Sequence, residues 1–258
     1  MNRKKKGFTA SLEDFFTPQI LLISIVSIII TSTILFLVGY GIVESASSEG
    51  TKRLIPELYD WFNESIFSYL DLIPGLTFIM EHHITMMILK GIMFFGFTVL
   101  IYYVFFGVYG IVIGFFAGAI IRSIQKKHYP DVELKGMGIF SAIPFYIKTI
   151  AVTVFLLVLF SPAYLIPALN LLVFIPIYYF FHKTIVFDVG SEINTRREYK
   201  KIKTVNSGEL KTQTLACFSA TLIPIAGILL YPYYVILVGH YMLRETRELR
   251  KIEQFSKI

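Results

Sequence analysis

Three cations bordering long apolar runs, Arg122, Lys148 and Lys183, stand with His182 and Asp188 as the side chains best placed to do chemistry. Positive charge at the mouth of an apolar segment draws in an anion, and an acid such as Asp188 moderates that field. Their competing role is to reach outward to lipid phosphate. Other chemistries lack their residues. The histidines are His82, His83, His128, His182 and His240, with no H-E-x-x-H spacing, no G-x-S-x-G and no phosphate loop. Adjacent residues such as His82 and His83 face different sides of a helix. Each histidine reads as an interfacial or hydrogen-bonded structural residue, so no metal site and no cofactor is expected. Cys217 is the single cysteine, which excludes an internal disulfide and a cysteine metal cluster. With no nucleophile–base pair in sight, the chain reads as a protein that is not an enzyme.

The elements that must position these residues are apolar. Of 258 residues, 55% are hydrophobic and 16% charged, against roughly 25% charged in a soluble domain. Four stretches contain no Lys, Arg, Asp or Glu: Phe15–Val43, Gly91–Ile121, Thr149–Phe181 and Thr212–Leu243. Each exceeds the ~20 residues that cross a bilayer as a helix. The first is about twice as long as the apolar part of a secretory signal, and Ser45-Ala46-Ser47 is a weak cleavage match, so it reads as a retained membrane helix. The first two stretches, with no proline after Pro18, predict full spans over about 17–43 and 86–122.

The last two are broken, by Pro162, Pro167 and Pro176 in one and by Pro224, Gly227 and Pro232 in the other. Proline removes an N–H and clashes with the preceding turn. Arms of about 13–15 residues reach only ~20–22 Å, too short to cross. They predict half-inserted hairpins over about 144–182 and 210–243, with turns at Pro162–Pro167 and at Pro224, Gly227 and Pro232.

Loop charges test that reading. Residues 1–14 carry four basic and two acidic side chains, 122–148 five and two, 182–211 seven and four, 244–258 five and three, whereas 44–90 carries three basic against seven acidic. Four single crossings would put the most basic loop opposite the basic N-terminus. Two spans plus two hairpins leave every basic region on one face, as the positive-inside rule requires. Both termini are then expected in the cytoplasm, with the chain in the bacterial inner membrane. The net charge of +6 is thereby placed against anionic lipid rather than nucleic acid.

Smaller features complete the reading. Gly110, Gly114 and Gly118, four residues apart, make a smooth helix face for close packing or, alternatively, for a pore lining. Glu57, Asp60, Glu64 and Asp71 recur at helical spacing around Trp61, predicting an interfacial helix over about 54–72 or a helix packed on the outer ends of the spans. Residues 196–203 suggest a short basic surface helix near anionic lipid. The fold expected is all-α and integral to the membrane, as one helical domain.

Several segments resemble the CysZ-type sulfate permeases and the related etoposide-induced protein family. They are Leu159-Phe160-Ser161-Pro162, Phe180-Phe181-His182-Lys183 with Phe187-Asp188, Thr195-Arg196-Arg197-Glu198-Tyr199-Lys200-Lys201, and Ile223-Pro224-Ile225-Ala226-Gly227 through Tyr231-Pro232. The resemblance implies two spanning helices with half-inserted hairpins, and passage of a sulfate-like anion. One motif departs: where those permeases carry Pro-Gly-x-Arg-Arg, with arginines associated with sulfate, this chain has Pro18-Gln19-Ile20-Leu21-Leu22 and no cation. The functional expectation is a passive transporter or channel for a small inorganic anion, acting as a homo-oligomer in the bilayer. The alternative is a non-transporting scaffold or biogenesis factor working through helix contacts.

Overall fold

A computed structural model describes residues 10–46, 83–160, 171–172, 174–205 and 207–255. Among them no strand occurs. A short helix over 10–15 precedes α1 (Pro18–Ala46) and α2 (His83–His128), followed by a 3₁₀ turn (Ile139–Ser141), α3 (Ala142–Phe160), α4 (Phe174–Ile193), α5 (Arg196–Val205), α6 (Ser207–Thr221) and α7 (Pro224–Phe255). Among the described residues, four helices are long and apolar enough to cross a membrane, over Pro18–Gly41, Ile101–His128, Ala142–Phe160 and Ala226–Phe255. The protein is an all-α membrane protein. Its contacts divide it into two units, residues 1–28 with 106–258, and residues 29–105. Everything described below lies in the first. The expected outer helix over 54–72 and the turn prolines Pro162 and Pro167 lie outside the described residues.

Early residues of α3 meet late residues of α4: Phe145 stacks on Phe187 with centroids 3.8 Å apart, and the Tyr146 hydroxyl donates to Asp188. The two helices therefore form an antiparallel pair. At 19 and 20 residues they are longer than the arms read from sequence. The physical reason is that neither helix stops where its charges begin: Lys148 lies inside α3, and Lys183, Asp188 and Glu192 lie inside α4. Helical hydrogen bonds do not depend on side-chain charge, so an uncharged run measures an apolar arm and not a helix.

The second hairpin turns at Leu222-Ile223, whose N–H groups reach back to Ser219 and Ala220 carbonyls at 3.3 Å each. Pro224 then opens α7 at the one helical position where a missing N–H costs nothing. Gly227 lies in the first turn of α7, its N–H donating to the Ile223 carbonyl at 2.8 Å. Pro232 corrects the sequence reading: it sits inside α7, buried, and the chain does not reverse there. Its burial, with the neighbouring Tyr231 and Tyr234 packed on Phe181, offsets the one helical bond that it cannot make. The arms are unequal, 15 residues in α6 against 32 in α7.

That core is built by α2, α4, α6 and α7. Phe181 lies 6.0 Å from Phe106, 5.8 Å from Phe218, 5.9 Å from Tyr231 and 6.0 Å from Tyr234, ring centre to ring centre. The glycine face of α2 receives side chains. A Cβ built on Gly110 would lie 2.6 Å from the Tyr231 hydroxyl, one on Gly114 2.8 Å from Asp188 Oδ2, and one on Gly118 2.6 Å from Glu192 Oε2. The three glycines thus admit a phenol and two carboxylates that no larger residue would.

α5 begins with a reciprocal cap. Thr195 donates its N–H to Glu198 Oε2 at 2.8 Å, and Glu198 N–H reaches the Thr195 hydroxyl at 3.4 Å. Arg250 of α7 then binds the same carboxylate at 2.8 Å, and Lys201 pairs with Glu253 at 2.7 Å. Burial works to raise the Glu198 carboxyl, but the Arg250 and Thr195 bonds outweigh it and hold it down at about 2. The loop after α2 closes the far end of α4: Lys135 and Met137 N–H groups bond the Ile193 and Ser191 carbonyls at 3.1 and 2.7 Å. Gly136, at φ 59°, permits that approach where a side chain would be strained.

Candidate functional site: a cationic cleft at the hairpin base

α5 joins α6 within two residues, so the end of the basic surface helix folds back over the charged part of α4. Between them lies a cleft of about 450 Å³, lined by Ile175, Tyr178, Tyr179, His182 and Lys183 of α4, Lys203 of α5, and Ser207, Leu210 and Lys211 of α6. None of these lining residues is acidic. The cleft therefore holds three lysines whose charge it does not itself neutralise.

Each polar group is positioned by its neighbours. The Thr214 hydroxyl donates to the Leu210 carbonyl at 3.0 Å and sits 2.7 Å from His182 Nδ1, which fixes the buried imidazole. The Tyr178 hydroxyl donates to the Lys211 carbonyl at 3.1 Å. Lys183 Nζ lies over the Tyr179 ring, 5.4 Å from its centre, and Lys203 Nζ over the Tyr199 ring at 5.7 Å. Aromatic faces hold the ammonium groups without cancelling them. Lys203 feels the result: burial first, then Lys183 and Lys148 beside it, push its ammonium down to about 8.

Lys148, His182 and Lys183 are therefore gathered in one neighbourhood, with Lys148 near Lys203 although outside the cleft lining. Lys203 and Lys211 were not legible as members. The basic stretch 196–203 reads as a solvated face, and only the packing of α5 beside α4 and α6 brings its last lysine to the cleft. Asp188 lies elsewhere. It is buried over Gly114, accepts the Tyr146 hydroxyl bond and lines neither this cleft nor the one beside Arg122.

Arg122 lines a second cleft of about 490 Å³, with Ala119, Ser123, Lys126 and Lys127 of α2 and Gln19 of α1. Gln19 stands inside the Pro18-Gln19 stretch that carries no cation. The positive charge at this place comes from α2 instead.

Comparison with known families gives one match. The model described as Sulfate transporter CysZ/Etoposide-induced protein 2.4 covers residues 7–232. No curated protein and no solved structure matches the chain.

Proposed function

This chain belongs to the sulfate transporter CysZ/etoposide-induced protein 2.4 family, and on that premise we propose that it conducts a small inorganic anion across the bacterial inner membrane. The observation that carries the reading is the cleft at the base of the hairpins. Lys183, Lys203 and Lys211 face one space without an acidic lining residue, and charge-assisted bonds to an oxyanion would relieve their repulsion. An anion of sulfate's size and charge fits that need, and the arginine-free Pro18-Gln19 stretch leaves the choice among oxyanions open to test. The second cleft, with Arg122, Lys126 and Lys127 beside Gln19, supplies a further cationic step on the same route.

In this reading both hairpins enter the bilayer from the cytoplasmic face, where the N- and C-termini also lie. The uncharged parts of α3 and α4 dip inward, and Lys148, Lys183 and Lys203 stay at the cytoplasmic mouth. The exposed apolar face of α3, with Ile143, Ile147, Val154, Phe155 and Val158, supports lipid contact or association with further copies of the chain. In this reading the passage is passive.

Purified protein in liposomes decides the matter. Sulfate, phosphate and chloride fluxes are measured for the wild type and for Lys183→Ala/Lys203→Ala. At least one anion should flow, and the double variant should lose about tenfold of it or more, the worth of charge-assisted bonds. Absence of protein-dependent flux for all three anions overturns the reading, and a stable partner captured by cross-linking would then favour a scaffold.

A further inference from the structure

Asp14, in the helix over 10–15, His128, the last residue of α2, and His240 of α7 come from three separate segments and meet at one point. His128 Nε2 lies 3.0 Å from Asp14 Oδ2 and 3.2 Å from Oδ1, and His240 Nε2 lies 3.0 Å from Oδ2. One ligand atom from each residue falls within 4.8 Å of the other two. Ligands at ~2.0–2.2 Å around a tetrahedral divalent ion stand about 3.4 Å from one another, so a modest outward shift of the carboxylate makes room for an ion. Asp14 and His240 are buried, at 3% and 5% exposure, whereas His128 is half-buried and leaves one side open.

The surroundings match what a metal ligand needs. The Tyr129 hydroxyl lies 3.3 Å from His240 Nδ1, the outer contact that sets a ligand's tautomer and ring orientation. A further polar contact is Lys127 Nζ, 2.7 Å from Asp14 Oδ1 on a side chain 52% exposed. An ammonium there is a cation on the same carboxylate, and its exposed stem lets it swing into solvent when a stronger cation arrives. Two imidazoles with one carboxylate suit zinc, cobalt(II) or iron(II) and not magnesium or calcium, which prefer all-oxygen shells.

We propose that Asp14, His128 and His240 bind one divalent transition ion of zinc's class, with Lys127 as its competitor. The ion ties the helix over 10–15 to α2 and α7 with three protein ligands, and a fourth position stays open to water or an anion. The metal site does not rest on the anion reading, although Lys127 also lines the second cleft.

The test uses the full chain, purified in detergent without an affinity histidine tag and stripped with chelator. Cobalt(II) is titrated in, the ligand-field absorption is recorded, and metal per chain is counted by mass spectrometry after desalting. One cobalt per chain is expected, with the intense bands of low coordination number, displaced by one equivalent of zinc. His128→Ala, at a half-exposed position, should weaken binding by about 100-fold or more. Lys127→Ala should tighten it, whereas a cluster held only by its ion pairs would gain nothing. A wild type that retains no cobalt overturns the site. So does binding unaffected by His128→Ala and Asp14→Asn, or binding that vanishes instead in His82→Ala/His83→Ala.

Discussion

Lys203 is held below its ordinary range by burial first and then by Lys183 and Lys148, to about 8 from 10.5. The folded chain thus binds fewer protons than the unfolded one between those values, and Lys203 makes stability rise with pH across that window. Anion binding has the opposite sign. A bound oxyanion favours the ammonium, so affinity is constant below about 8 and falls as pH climbs from there towards 10.5. Isothermal titration with sulfate, a dianion throughout, at pH 7 and pH 9.5 should show that loss in the wild type. Lys203→Met should bind about tenfold more weakly at pH 7 and lose most of the pH dependence. A wild type whose affinity holds steady between the two pH values would remove Lys203 from the binding site.

Among the elements, α2 shows how closely its glycines are matched to their partners. Tyr231 fills the space over Gly110, and its ring is pinned by Phe106, Tyr109 and Phe181. A methyl group there meets the hydroxyl at 2.6 Å and the ring at 3.0 Å. Gly110→Ala should destabilise by about 1–3 kcal/mol, the usual cost of overpacking. Gly107, one turn earlier, has nothing within 4 Å of a built Cβ. Gly107→Ala should be neutral or stabilising by up to about 1 kcal/mol. Thermal unfolding in detergent, followed by circular dichroism, separates the two, and equal melting temperatures would contradict the packing described.

The glycine face of α2 and the break before Pro224 were legible because each rests on local geometry. Three things were not. Pro232 continues a helix because its surroundings are buried and aromatic, which no local rule reports. The arms outrun their uncharged stretches because helix and apolar run are different quantities. Lys203 and Lys211 join Lys183, and Asp14 joins His128 and His240, only through tertiary packing, so neither cluster leaves a spacing in the chain. The opening cap of α5 has a local signature that the charge-based reading of 196–203 does not use. Thr195-Arg196-Arg197-Glu198 carries the Ser/Thr-x-x-Glu pattern that marks a helix start.

At the scale of the whole molecule, the proposed arrangement puts residues 182–211 on the cytoplasmic face and 44–90 opposite. With buried Cys217 replaced by serine, single cysteines at Ser48 and at Ser207 should react with a membrane-impermeant thiol reagent from opposite sides of oriented vesicles. Labelling of both from one side would contradict the hairpin topology. Ser207 also lines the cationic cleft, so its labelling should slow when the transported oxyanion is present. One pair of variants therefore reports both sidedness and occupancy.

The mismatch between α6 and α7 reaches further than the hairpin. At ~1.5 Å per residue, α7 outlasts its partner by about 25 Å, and that overhang is fastened along its length, Arg247 to Asp131, Arg250 to Glu198 and Glu253 to Lys201. The helix that sets how deep the turn at Leu222-Ile223 can sit is thus the same rod to which α5, and with it Lys203, is bolted. In the proposed half-inserted arrangement, the depth of that tip and the position of Lys203 are linked through α7.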